Sequence, residues 1–519
     1  MKPQFKRAAM ALPMPLVAAG SISCTAQEQA KPNIVYLMFD DLGYGDLGCY
    51  GQEVIETPNI DALAARGVLF TDMYTACPLS APSRCSIMTG RHSGHSQIRF
   101  NINPKEPYAS KEALAEVNDK IYYLGPDYEG QYNLADTTYT LARMMQDAGY
   151  VTGMVGKWGL GTPDGSTPNK MGFDYFYGFI CQGLAHQYYP YYLWENGEQV
   201  LTGNKLQIPG YKLPAELDPY DVASYFQYSD KYYSPDLMFD KLQKFVSDNA
   251  KKPFFLMWTT TTPHSAVQAP LDEVMHYVDK IGDEEPVTDP GDYFPNRYPH
   301  ATYAAMITHI DTQVGLLVDQ LKELGIYDNT IIIVTSDNGP ACNGNSPMEY
   351  FHSGGPFRCR QGWGKSSLHE GGVRMPFVVA WGDRLEPTKT SHVAQFPDIM
   401  PTFAELAGVE APENDGISFL PTLTGGEQAE HEYLYWEFPG KGGWIGVRWG
   451  KWKGICRKVS KGNNAFELFD LEADPQELNN VAADHPDVIE KFWQFVRESH
   501  NPTPNGEPQF NISITWPEE

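Results

Sequence analysis

From residue 33 onward the chain alternates between short, almost wholly apolar runs and longer stretches with an apolar position every third or fourth residue. Asn33–Phe39 (NIVYLMF) has the length of a strand and no polar face, the pattern of a strand buried on both sides. Thr57-Pro58 then predicts a helix start, with Gly67 as its stop. A helix over Thr138–Ala148 ends at Gly149 and feeds a strand over Tyr150–Val155, and another strand, Phe254–Thr260, follows the Lys251-Lys252-Pro253 turn. The amphipathic stretch Ala304–Leu324 ends near Gly325 and passes through Asp328-Asn329 into the β-branched run Thr330–Thr335; Pro376–Trp381 predicts one more strand. Strands alternating with helices argue for an α/β fold with a mostly parallel sheet covered on both faces. Ligands of such sheets lie outside the carboxyl ends of the strands, so the polar residues just after each strand become the candidates for chemistry.

Three stretches, Pro104–Asn133, Thr202–Pro235 and Asp283–Pro299, lack periodicity and read as long insertions over the active face. From about Glu430 the texture changes. Tyr433–Phe438, Trp444–Lys453 and Phe466–Asp470 predict short antiparallel strands, followed by a helix from about Pro486 to Glu498. The expected division is a main domain over 28–429 and a C-terminal subdomain over 430–519. At the other end, Lys2, Lys6 and Arg7 precede a short apolar stretch, Ala8–Gly20, interrupted by Pro13 and Pro15, the make-up of an export signal over residues 1–24. Cys24 follows Ser21-Ile22-Ser23, a loose lipoprotein box without the usual Leu, so lipidation at Cys24 and ordinary cleavage both stand. No later run approaches the roughly 20 apolar residues of a transmembrane helix. The expected location is the periplasm, or the outer membrane as a lipoprotein, of a Gram-negative bacterium.

The length of 519 residues exceeds what one core holds, roughly 250–300 residues. A formal charge of −26 excludes nucleic acid as a partner, because phosphate backbones need basic stripes. Any site for an anionic ligand must then be a local basic island, and net charge cannot steer such a ligand in. The 31 Tyr, 25 Phe and 11 Trp serve the core or face sugars from loops. The 8 Cys become an odd number once Cys24 is set aside, with no CxxC pair and no His at zinc spacing, so neither a disulfide framework nor a zinc site is indicated.

Asp40-Asp41 directly follow the first buried strand, and Asp337-Asn338 come just after the strand ending at Thr335. Either pair alone could cap a turn. Two such pairs at two strand ends make a set of hard oxygen donors of the type selected by Ca²⁺, with Mg²⁺ second because it keeps more waters. Between them in sequence lies PLSAPSRCSIMTGR, Pro78 to Arg91. Its Ser80-x-Pro82-Ser83-Arg84 core and trailing Thr89-Gly90-Arg91 resemble the sulfatase signature in its serine form. FDDLGYGDLGCYG, TPNIDALAARGVLF, VGKWGLG, MGFDYFYGF, TTPH, DNTIIIVTSDNG, GWGKSSLHEGGVRMPFVV and ELFDLEADPQELNNVA are similar to further sulfatase segments, so the resemblance covers nearly the whole mature chain.

That resemblance implies an alkaline-phosphatase-like sandwich with a small C-terminal antiparallel sheet. It implies that Ser80 is oxidised to formylglycine by an anaerobic-type maturating enzyme, and that the hydrated aldehyde attacks sulfur with one hydroxyl and expels sulfate with the other. It implies a cation held by Asp40, Asp41, Asp337 and Asn338 together with the modified Ser80, with Arg84 on the diol side. Lys157 and Lys365 would neutralise the sulfuryl group, and His264 in Thr262-Pro263-His264 would be the leaving-group acid. One position departs: where many sulfatases have histidine in GKWHLG, this chain has Gly159. His92 and His95, just past the signature, or a loop residue could compensate, with the two histidines otherwise read as ordinary polar residues flanking a helix. The expected substrate is a sulfated carbohydrate, galactose or N-acetylgalactosamine 6-O-sulfate first and 4-O-sulfate next, attacked in exo fashion. Arg99 and His186, in loop-like segments, are the candidates for sugar contacts. The rivals are a phosphoester or phosphonate hydrolase of the same superfamily and a non-catalytic glycan-binding lipoprotein.

Overall fold

In chain order the strands of the large sheet are β1 (Asn33–Asp40), β2 (Val68–Tyr74), β3 (Val151–Lys157), β4 (Tyr175–Phe179), β5 (Tyr192–Glu195), β6 (Glu198–Leu201), β7 (Phe254–Pro263), β8 (Thr330–Ser336), β9 (Arg374–Trp381), β10 (Thr388–Thr390) and β11 (Ala394–Gln395). The computed structural model describes residues 31–101, 131–207, 209–342, 346–461 and 465–502. The expected export signal, Cys24 and nearly all of the insertion at 104–133 lie outside the described residues.

The sheet runs β10-β2-β9-β8-β1-β7-β3-β4-β5-β6, with β11 beside β2. Its centre is parallel: β8, β1, β7 and β3 all point the same way. Antiparallel pairs come toward the edges, β8 with β9, β9 with β2, β4 with β5, and β5 with β6. The unbroken apolar texture of β1, β7 and β8 has its cause here, since each is buried along its full length by helices on both faces. One of these, Pro299–Glu323, starts five residues earlier than its apolar periodicity predicts, because Pro299 supplies the first-turn proline. Among the described residues no helix is long and apolar enough to cross a membrane.

The C-terminal sheet is antiparallel, β12 (Leu434–Phe438), β13 (Trp444–Trp449), β14 (Trp452–Arg457) and β15 (Ala465–Asp470), in that order, followed by the helix Pro486–Ser499. The expectation of one strand over Trp444–Lys453 is corrected. The run is two strands closed by a tight turn at Gly450-Lys451, with Trp449 opposite Trp452 and Gly450 at φ +52°. Trp449 and Trp452 flank the turn and carry the apolar pattern past it on both sides, so the pattern alone hides it; Gly450 marks it.

This small sheet packs against the segment that carries the sulfatase-like signature. Leu434, Trp436, Phe438 and Ile455 share one apolar cluster with Tyr74, Cys77, Leu79 and Leu368, and the Trp436 indole N–H donates to the Thr75 carbonyl at 2.7 Å. Arg99, expected as a sugar contact, belongs to this seam instead. It is 1% exposed and pairs with Glu437 on β12 at 2.9 Å. It also donates to the carbonyls of Gly94, Ser96 and Asn501. A guanidinium so enclosed has no face left for a sugar. Arg99→Ala should leave Glu437 buried without its cation and cost about 3–5 kcal/mol; denaturant unfolding of the variant measures this, and an unchanged midpoint would refute the assignment.

Candidate active site

The four parallel strands at the sheet centre end side by side, and each ends in a residue with chemistry. Asp40 closes β1 and Asp41 follows it; Lys157 closes β3. Asp337-Asn338 follow β8 directly, and His264 follows β7 directly. Register enforces the meeting, because Phe39 lies opposite Ser336 and Asp40 opposite Pro263. Asp41 adopts φ +69°, a region costly for a residue with a Cβ. This turns its carboxylate to the same side as that of Asp40.

Ser80 enters from above as the first residue of the helix Ser80–Thr89, every residue of which is buried. Ser80 Oγ lies 3.0 Å from Asp40 Oδ1 and 3.4 Å from Asn338 Oδ1. Arg84, one turn on and therefore on the same helix face, donates to Asp337 Oδ2 from Nε at 3.1 Å and from Nη2 at 2.9 Å, and to the Lys157 carbonyl at 2.7 Å. Ser83 pins the helix by donating to the Asp337 carbonyl at 2.6 Å. The Thr89-Gly90-Arg91 tail has a structural part: Gly90 ends the helix at φ +65°, and Arg91 pairs with Asp415 and Glu413.

Lysines line the cluster. Lys157 Nζ meets Asp40 Oδ2 at 2.5 Å, and Lys365 Nζ meets Asp41 Oδ1 at 2.7 Å. Asn338 donates to Asp41 Oδ1 at 2.7 Å, and the Asp41 backbone N–H donates to Asp337 Oδ1 at 3.3 Å. His264 holds its Nδ1 against the Ser265 carbonyl at 2.5 Å. A carbonyl only accepts, so Nδ1 carries the proton and Nε2 faces Asp41 at 3.6 Å. His186 stacks on His264 with centroids 4.9 Å apart and planes 13° from parallel.

Burial opposes ionising Asp40, yet Lys157 and the cations beside it hold its carboxyl well below the usual carboxylate range. Burial pushes Asp41 up against the pull of Lys365, and burial together with the Asp40 charge pushes Asp337 up to about 6. Burial lowers the Lys157 ammonium, whereas the Asp41 and Asp40 carboxylates lift Lys365 above the ordinary lysine value despite burial. Burial and Lys365 bring His264 down to about 3; burial and His264 hold His186 well below the ordinary histidine value. Both rings are neutral at neutral pH.

This donor set fits a hard divalent cation. The carboxylate oxygens of Asp40 and Asp41 lie within 4.8 Å of each other, with His264 beside them; Asp337 Oδ1 accepts from the Asp41 N–H, and Asn338 Oδ1 lies 3.4 Å from Ser80 Oγ. The upward push on Asp41 and Asp337 is the electrostatic demand a cation would meet.

The structure thus brings together Asp40, Asp41, Ser80, Arg84, Lys157, His264, Asp337, Asn338 and Lys365, with His186 behind His264, and leaves Arg99 outside. It also overturns the idea that His92 or His95 compensates for Gly159. Both follow the far end of the helix, roughly 15 Å from Ser80 at 1.5 Å per residue, where His95 pairs with Asp415. Gln182, which carries no motif, is what occupies the space at Gly159. A Cβ on Gly159 would meet Gln182 Nε2 at 2.5 Å and Arg84 Cδ at 3.6 Å, and φ is +73°. The Gln182 amide donates to the Gly159 carbonyl at 3.3 Å. Only the glycine itself hinted that a neighbour had moved in.

Comparison with known proteins agrees with this geometry. The sulfatase family model matches residues 32–409, and the model for the C-terminal region of N-sulphoglucosamine sulphohydrolase matches residues 360–500. An N-acetylgalactosamine-6-O-sulfatase of Bacteroides thetaiotaomicron is 28% identical over 91% of this chain and 93% of its own. Human arylsulfatase A is 30% identical over 89% and 86%. Among solved structures, Ps i-CgsB in complex with k-i-k-neocarrahexaose superposes with a TM-score of 0.69 at 27% identity, over 90% of this chain and 92% of that one.

A cation bound only by the folded state should stabilise it by about 2.7 kcal/mol at one hundred times its dissociation constant. Calcium titration should therefore raise Tm, and Asp337→Ala should abolish the rise. Elemental analysis of active protein finding zinc, or no metal, would exclude this ligand set for Ca²⁺ or Mg²⁺.

Proposed function

The chain belongs to the sulfatase family of sulfuric ester hydrolases, and we propose that it removes sulfate from a carbohydrate, by way of a formylglycine made from Ser80. The preferred ester is the 6-O-sulfate of N-acetylgalactosamine or galactose at a chain end, with the 4-O-sulfate second; the name of the Bacteroides relative supports this order. The observation that carries the reading is the placement of Ser80 Oγ, 3.0 Å from Asp40, inside a buried ring of three carboxylates and three cations. A serine so placed cannot act as an ordinary base-assisted nucleophile, because Asp40 is paired with Lys157 and is a weak base.

A divalent cation on Asp40, Asp41, Asp337 and Asn338 supplies Lewis acidity, and a hydrated formylglycine at position 80 supplies the attacking oxygen with a second hydroxyl to release sulfate. The remaining work falls to side chains. Lys157 and Lys365 present ammonium groups to the sulfuryl oxygens in a site that excludes water, where such charges act strongly. Arg84, fixed by Asp337 and the Lys157 carbonyl, keeps the position-80 side chain in line with the ester. His264 delivers a proton from Nε2 to the leaving sugar oxygen, its ring held by the Nδ1–H bond to Ser265. The arriving ester brings the negative charge that favours a proton there. His186, stacked on His264, borders the leaving-sugar side and is assigned to sugar binding. We further propose that the protein is exported and that a maturating enzyme of the anaerobic type acts on Ser80.

Ser80→Ala should abolish turnover without loss of fold. The Ser80 peptide from the native host should be lighter than its unmodified form by two hydrogens; full activity with an intact serine would sink the formylglycine route. His264→Ala should slow a sugar sulfate by about 10²–10⁴-fold and an aryl sulfate, whose phenolate leaves unaided, far less. Equal losses on both would remove His264 from the acid role.

A further inference from the structure

The protein carries a formal charge of −26, yet two of its segments contain no carboxylate at all. From Tyr350 to His369 the lysines and arginines are Arg358, Arg360 and Lys365; from Phe438 to Phe466 every Asp, Glu, Lys or Arg is a Lys or an Arg. The fold brings these segments together at the active site. Lys441, in the link between β12 and β13, donates from Nζ to the Ser366 carbonyl at 3.0 Å. The Ser366 backbone N–H donates to the Pro78 carbonyl at 2.8 Å, two residues before Ser80. The Lys365 backbone N–H donates to Pro340 at 2.9 Å, two residues after Asn338.

The arginines are tied to the same place. The Arg358 guanidinium lies 3.7 Å from the Trp363 ring centroid, and Trp363 stacks on His369 at 3.8 Å. His369 in turn meets Trp444, the first residue of β13, at 5.8 Å. Arg360 starts the turn that presents Trp363, its carbonyl accepting the Trp363 N–H at 2.8 Å. Arg358, Arg360 and Lys441 form no ion pair among the described residues, and Arg360 and Lys441 are exposed. The carboxylates nearest in effect to Arg358 are engaged elsewhere, Glu477 with Lys453 and His369, Glu467 with Arg457. Cations without an ion-pair partner among the described residues of a strongly acidic protein create a local positive field at one wall of the site, and stacking fixes the Arg358 plane in advance.

We propose that Arg358, Arg360 and Lys441 form a cationic rim beside Lys365 that binds a second anionic group, a sulfate or a carboxylate, on the sugar adjoining the one whose ester is cleaved. The substrate is then a polyanionic glycan, and the C-terminal subdomain takes part in choosing it. This rests on the reading of the site as a sulfate-ester site.

The test uses the full chain carrying Ser80→Ala, so that the ester survives, and chondroitin 6-sulfate oligosaccharides, in which the sulfated sugar adjoins a uronate. Calorimetry should show binding that weakens about tenfold or more when Arg358→Gln, Arg360→Gln and Lys441→Gln are combined, since a charged hydrogen bond contributes about 1.5–3 kcal/mol. Arg358→Lys with Arg360→Lys should keep most of it. No binding by the Ser80→Ala protein, or the same Kd in the triple variant, overturns the rim. In the background with Ser80 intact, an equal fall in kcat/KM for an aryl sulfate and for the oligosaccharide also overturns it, by giving the three cations a structural part. If mature enzyme hydrolyses neither ester, the sulfate-ester reading fails, while the calorimetry still decides whether the rim binds polyanions.

Discussion

Three buried carboxylates, Asp40, Asp41 and Asp337, share one small volume at the ends of adjacent strands, and their mutual repulsion has to be met by positive charge. Arg84, Lys157 and Lys365 meet it in number, each from a different part of the chain. Removing any one leaves a buried charge uncompensated. The constraint explains features that otherwise look unrelated: the left-handed backbone of Asp41, the helix whose every side chain is buried, and Ser83 bonding to the Asp337 carbonyl. All of them hold charged groups at distances where attraction exceeds repulsion. The arrangement also lets the site receive an anionic ester, because lysines that face carboxylates at rest can turn their remaining N–H groups to sulfuryl oxygens.

The small antiparallel sheet is part of the same construction. Its first strand contributes Trp436 and Glu437, which bond to Thr75 and Arg99 on either side of the Ser80 helix. A second ion network joins the sheets, with Lys453 on β14 paired to Glu370 and Arg448 on β13 paired to Asp72. The segments on either side of the Ser80 helix are therefore tied to the small sheet, while the helix itself packs against the helices Leu141–Asp147 and Ile399–Ala407.

Much of this was legible in the sequence because it depends on short-range rules. Buried parallel strands show as unbroken apolar runs, and the residues after them fall at the carboxyl edge of the sheet, so Asp40, Asp41, Asp337 and Asn338 could be picked out from position alone. Ser80, Arg84, Lys157, His264 and Lys365 needed the family resemblance, since a lone lysine or histidine carries no local mark of its surroundings. What stayed hidden depends on contacts between distant segments. Arg99 read as a loop cation because Glu437 lies far along the chain. Gln182 had no signal, because its place is defined only by the missing side chain at Gly159. The turn at Gly450-Lys451 was masked by tryptophans that continue the apolar run on both sides.

The burial of Ser80 bears on the order of events in the life of the molecule. Ser80 is 1% exposed, and it starts a helix every residue of which is buried. An enzyme that rewrites this hydroxyl has to grip the peptide around it, and in the finished fold that peptide offers no surface to grip. On the proposed conversion of Ser80 to formylglycine, the editing would belong to the nascent or unfolded chain, before the strand ends close. On that proposal, a copy that folds first would keep its serine, with no route back except complete unfolding.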